Sequence, residues 1–153
     1  EERFEEAEPL YEESLDMRRR LYGPRRIAVT FALNGLARLY NRTGRPAEAE
    51  ALLRESLSIF DETLPRHWRR AYAECLLGAA LSLQSRFDEA KPLFLEGVSN
   101  VRVARGDQDM FTREVFQYAI DFCNRAHRVE ESTFCAKMRD ENQEITRKYG
   151  IDR

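Results

Sequence analysis

No stretch of this 153-residue chain approaches the roughly 18 consecutive apolar residues of a membrane-spanning helix, which argues against membrane insertion. Cysteine is scarce. Cys75, Cys123 and Cys135 form an odd set at wide, unpatterned spacing, neither a disulfide framework nor a CxxC metal site. They read as small apolar side chains packed on helices, and unpaired thiols fit a reducing compartment such as the cytoplasm. The two histidines, His67 and His127, stand sixty residues apart and read as surface or helix-end residues rather than catalysts. A Gly-rich phosphate loop, GxSxG and HExxH are all missing, so no enzyme activity, cofactor or metal is expected. Charge of one sign is missing too: 25 Lys+Arg against 27 Asp+Glu leave a net charge of −2, without the basic excess of a nucleic-acid binder.

What remains is enough for a folded domain, with 42% hydrophobic residues for a core and 34% charged residues for a solvated exterior. The main feature is internal repetition. Arg3-Phe4-Glu5-Glu6-Ala7-Glu8-Pro9-Leu10-Tyr11 aligns with Arg45-Pro46-Ala47-Glu48-Ala49-Glu50-Ala51-Leu52-Leu53 and with Arg86-Phe87-Asp88-Glu89-Ala90-Lys91-Pro92-Leu93-Phe94. A weaker fourth copy runs from Arg128 to Ala136, and the leading arginines are 42, 41 and 42 residues apart. Such near-constant register marks an array.

Inside each copy the apolar period is helical. Ala49, Leu52, Leu53, Leu57 and Phe60 form one stripe, and Ala90, Leu93, Phe94, Val98 and Val101 repeat it. Another stripe precedes each: Leu33, Leu36, Ala37 and Tyr40; Leu77, Ala80 and Leu81; Phe116, Ala119, Ile120 and Cys123. Gly44 suits a helix C-terminus and Pro46 a first turn, where Pro9 and Pro92 are also placed. The pattern predicts seven helices, over 3–22, 25–42, 46–63, 67–84, 87–105, 110–126 and 129–148. A coiled coil would need sustained heptads, and a closed bundle has no need of a 42-residue period, so an open stack is preferred. Small residues Ala37, Ala49, Gly78 and Ala90 are expected where helices approach closely.

An Ala in the second helix with a large apolar residue four later, preceded by Leu36-Ala37-x-x-Tyr40 and Gly44, resembles the tetratricopeptide repeat. The 42-residue period and the phrases EEAEPLYEESLDMRRRLYGP and ALNGLARLYNRTGRPAEAEALL are similar to the kinesin-light-chain type. Glu74, Ile120 and Ser132 depart from it. The resemblance implies an all-α fold, a right-handed superhelical stack of antiparallel helix pairs. It divides residues 1–153 into a single array with units at about 1–23 (a second helix only), 24–64, 65–106 and 107–150. Because the first copy starts at its second helix, Phe4, Leu10 and Leu15 are expected to be partly uncovered. The opening EERFEEAEPL has no Met and no signal-peptide pattern, and an excerpt of a longer protein is expected.

The resemblance also implies that first helices line a concave groove holding a peptide. Carried over position by position, it points to Phe31, Asn34, Arg38, Asn41 and Arg42. The next copy adds Tyr72, with Cys75, Ala79 and Ser82, and the last adds Gln117, Asn124 and Arg125, with Glu114 and Asp121. Asn34 would bond peptide backbone, the arginines would take acidic groups, and Phe31 and Tyr72 would form an apolar wall. Charge is segregated: residues 1–16 hold eight acids and one base, whereas 17–72 hold twelve bases and five acids. A non-catalytic protein–protein interaction module binding a peptide or partner domain, with an acidic peptide favoured, is the expected function. The alternative is a scaffold that self-associates through its stacking ends.

Overall fold

The computed structural model describes residues 2–126 and 133–150. Seven helices follow one another: α1 (Glu2–Tyr22), α2 (Ile27–Arg42), α3 (Pro46–Thr63), α4 (Trp68–Leu83), α5 (Phe87–Arg105), α6 (Met110–Arg125) and α7 (Thr133–Tyr149). Each packs on the next, with α2/α3 and α4/α5 the most extensive pairs, and α2, α4 and α6 also touch in sequence. The result is an α-solenoid, with no strand among the described residues.

The helical stripes become the core. Leu33, Leu53, Phe60, Leu76, Phe94, Val98, Val101 and Phe116 are fully or almost fully buried. Ala37, Ala49 and Ala90 are fully buried where helices meet, as expected. A Cβ at Gly78 would stand 2.9 Å from the Phe94 ring, and one at Gly97 would stand 2.5 Å from the Cys75 Sγ. Those glycines let α4 and α5 approach closely.

The leading arginines act as ties between repeats. Arg45 reaches back to Glu8 at 2.6 Å and along its own helix to Glu48. Arg86 repeats this with Glu50 at 2.7 Å and Glu89. Two turns share one geometry as well. Arg45 N–H donates to the Tyr40 carbonyl at 2.9 Å around Gly44, and Arg86 N–H donates to the Leu81 carbonyl at 2.9 Å around Ser85. Both central residues have positive φ, +75° and +61°.

Several expectations change. Cys123 and Cys135, 12 residues apart, are joined by a disulfide, with Cα atoms 5.7 Å apart, and only Cys75 is a free thiol. Cys123 on α6 and Cys135 on α7 meet where these two helices pack, a tertiary contact that wide sequence spacing does not reveal. Unpaired thiols therefore no longer argue for a reducing compartment. Pro9 and Pro92 lie inside α1 and α5, past the first turn. Leu15 is buried, while Leu10 remains 66% exposed. His67 caps α4, its side chain accepting from Arg69 N–H at 3.2 Å. His127 and most of the fourth copy's opening, Arg128 to Ser132, lie outside the described residues.

Candidate functional site

The inner row of helices α2, α4 and α6, with Tyr11 of α1, encloses a hollow of about 240 Å³. Phe31, Asn34, Gly35 and Arg38 come from α2, Arg69 and Tyr72 from α4, and Met110 and Phe111 from α6. Phe31 is 40% and Met110 57% exposed, so the rim is apolar. Asn34 is only 8% exposed, and its Oδ1 is buried without a hydrogen-bond partner.

Two residues of that wall, Arg38 and Tyr72, meet Glu114 of α6. Its side chain is 13% exposed and accepts from the Tyr72 hydroxyl and the Tyr118 hydroxyl, each at 2.8 Å. Arg38 stands 3.6 Å and Arg42 3.8 Å from the same carboxylate. Burial, reinforced by the Glu114 charge, pushes both tyrosines well above the ordinary phenol range and keeps them as donors. Burial works against the charge of Arg38, but Tyr72 and Glu114 outweigh it and hold its pKa above the usual value. Three helices are thus tied at one carboxylate.

The wall also carries a different cation, Arg69. The Arg69 guanidinium lies 4.6 Å from the ring centres of both Phe31 and Trp68 and 5.8 Å from that of Phe111. Arg105 shares two of these rings, 4.7 Å from Trp68 and 6.0 Å from Phe111, but it is paired with Asp109 at 2.8 Å. Arg69 has no carboxylate partner among the described residues. Burial and the neighbouring Arg105 charge lower its pKa.

Of the sequence-derived residues, the structure gathers Phe31, Asn34, Arg38 and Tyr72 in the hollow, while Arg42 faces Glu114 without lining it. Asn41 is buried and donates to the Leu76 carbonyl at 3.0 Å, tying α2 to α4. Cys75, Ala79 and Ser82 are core. Gln117 donates along α6 to Asp121 at 2.9 Å, while Asn124 and Arg125 are exposed at the end of that helix; none of these lines the hollow. Sequence reading missed Arg69, Met110, Phe111 and Tyr11. Arg69 was hidden in the Arg69-Arg70 charge run, yet neighbouring helical positions point about 100° apart. Arg70 turns outward to Asp61 and Glu74, and Arg69 turns inward.

Helix pairs stacked so that one row of helices forms an inner wall define a repeat protein of the α-solenoid class. The chain belongs to the tetratricopeptide repeat family, whose sequence pattern matches residues 1–62 and, overlapping them, 32–102. Repeats of this family generally mediate protein–protein interaction and are typically non-enzymatic. No curated protein matches the sequence. Among solved structures, BtubC (BKLC) from P. vanneervenii is 20% identical with a TM-score of 0.74, over 95% of this chain and 56% of that one. The chain therefore spans little more than half the length of that relative. Two structures of a Podosopora anserina putative kinesin light chain with nearly identical TPR-like repeats are also similar. They are 18% and 17% identical, with TM-scores of 0.65 and 0.62. These cover 97% and 96% of this chain and 69% and 79% of theirs, a likeness of fold. No described helix is long and apolar enough to cross a membrane.

Proposed function

We propose that this chain is a non-catalytic interaction module that holds an extended peptide segment of a partner protein in the groove between α2, α4 and α6. The observation that carries the reading is the juxtaposition of exposed Phe31 and Met110 on the wall of one hollow between these helices. Apolar side chains of a ligand would cover both. An acidic segment fits best, because Arg69 on the groove wall has no carboxylate partner among the described residues.

A display library of random peptides selected on the immobilised chain tests this. Selected peptides are expected to lose at least about tenfold in affinity on Phe31→Glu and to keep it on Val103→Glu, an 85% exposed position outside the groove. Equal binding to both variants would rule the groove out.

A second reading, self-association, is supported by α1. Met17 is 53% exposed, whereas Ile59, one repeat later, is fully buried. Ala7 is half-buried where Ala49 and Ala90 are fully covered.

A further inference from the structure

Away from the groove, α7 has the sparsest packing of the seven helices. Among the described residues α3, α4 and α5 each pack on a helix at either side, whereas α7 packs on α6. Of its 17 residues, Phe134, Cys135, Met138 and Ile145 are buried, and one of these is a cysteine of the disulfide. From α5, Arg102 reaches Glu141 of α7 at 3.3 Å but stands closer to Asp107, at 2.7 Å. A partly exposed pair of that kind adds little. We infer that the Cys123–Cys135 bond is a redox latch. Oxidised, it holds α7 on α6; reduced by a dithiol, it lets α7 lift and bares the apolar faces between them.

A bond between residues 12 apart on two helices removes much of the freedom that α7 would gain on lifting, and that restraint disappears when the bond is cut. Without it, burial of Phe134, Met138 and Ile145 must offset the ordering of a 17-residue helix. What lies beneath is apolar: the Phe122 and Phe134 rings meet at 6.3 Å, and Phe122 also packs on Phe94 at 5.4 Å. The third cysteine does not compete for the pairing. Cys75 is fully buried, and burial pushes its thiol well above the ordinary range, leaving no thiolate to attack the bond. Electrons therefore come from outside. One sulfur of the dithiol, as thiolate, attacks a sulfur of the bond and expels the other, which takes up a proton. The second sulfur of the dithiol then displaces the first protein sulfur from the mixed disulfide. The dithiol ends as a cyclic disulfide, and its two protons and two electrons reside on Cys123 and Cys135. Both cysteines are almost fully buried, so the attack occurs when α7 lifts from α6.

The test compares the full chain before and after treatment with dithiothreitol. Thiols counted in denaturant are expected to number one in the oxidised form and three in the reduced form. Hydrogen exchange followed by mass spectrometry is expected to quicken across α7 on the order of a hundredfold on reduction, the effect of freeing a loop of this size, and to stay unchanged in α2 to α4. Binding of an apolar dye is expected to rise in parallel, and reoxidation to reverse both changes. The double variant Cys123→Ala, Cys135→Ala is expected to behave as the reduced form and to ignore dithiothreitol, while Cys75→Ala still switches. The wild-type comparison needs neither variant to fold. Three thiols in the oxidised chain overturn the inference, as does exchange in α7 that ignores reduction. Exchange that quickens equally in α2 to α4 overturns it too, since the bond would then support the whole array rather than release one helix. Protection that reoxidation does not restore makes the bond a one-way staple and rules out a latch.

Discussion

Gly44 and Ser85 occupy the same place in successive repeats, the residue after a helix end that must turn the chain with φ near +60° to +75°. Glycine adopts that conformation without a side-chain clash, whereas serine does so at a cost of roughly 1 kcal/mol. The hydrogen bond from Arg86 N–H to the Leu81 carbonyl holds Ser85 there regardless. Ser85→Gly is therefore expected to raise stability by about 0.5 kcal/mol, the strain relieved less the added freedom of the unfolded chain. A urea denaturation midpoint higher than that of the wild type checks it. At this scale Gly44 was legible in sequence, because glycine after an apolar stripe has one common use. Ser85 was not, because only the repeat register assigns it the same role.

Between elements, polar ties complement the apolar packing, and Glu50 of α3 is the most connected. It accepts from Gln84 at the end of α4 at 2.9 Å, from Arg54 on its own helix and from Arg86 before α5 at 2.7 Å. Burial raises its pKa, but the bonds from Gln84 and Arg54 and the charge of Arg86 outweigh this and leave it below the ordinary value. A depressed folded-state pKa contributes stability above the unfolded pKa of about 4.3, and that contribution disappears as pH falls through the folded value. Glu50→Gln is expected to cost about 1–2 kcal/mol in urea titrations at pH 7, and the deficit is expected to shrink as pH falls below the unfolded pKa of about 4.3. A deficit that stays constant across that range would exclude the ion pairs as its cause. Helix positions were legible because proline, glycine and the apolar period mark them, and six observed starts fall within three residues of expectation. The α6–α7 disulfide was not legible, since its two cysteines meet only when two helices turn back on each other.

For the whole molecule, an array buries its faces by stacking, so a helix face on which no described helix stacks stays exposed. On α1 the exposed Leu10, Met17 and Leu21 form such a surface, 66%, 53% and 67% accessible, beside a strongly acidic segment. Light scattering over a range of concentrations is expected to detect a rising mean mass, and Met17→Glu is expected to return it to that of one chain. A wild-type mass independent of concentration would dismiss self-association through this end. Sequence alone determined the repeat, its period and the helical stripes, because burial on one face of a helix imposes a pattern that local composition records. Only the tertiary structure decided that Glu114 satisfies Arg38 and Arg42, that the Asn41 amide is spent on a carbonyl, and that Arg69 of the groove has no carboxylate partner among the described residues. Those outcomes depend on which side chains from helices some forty residues apart meet across a wall. No periodicity within one helix encodes such a meeting.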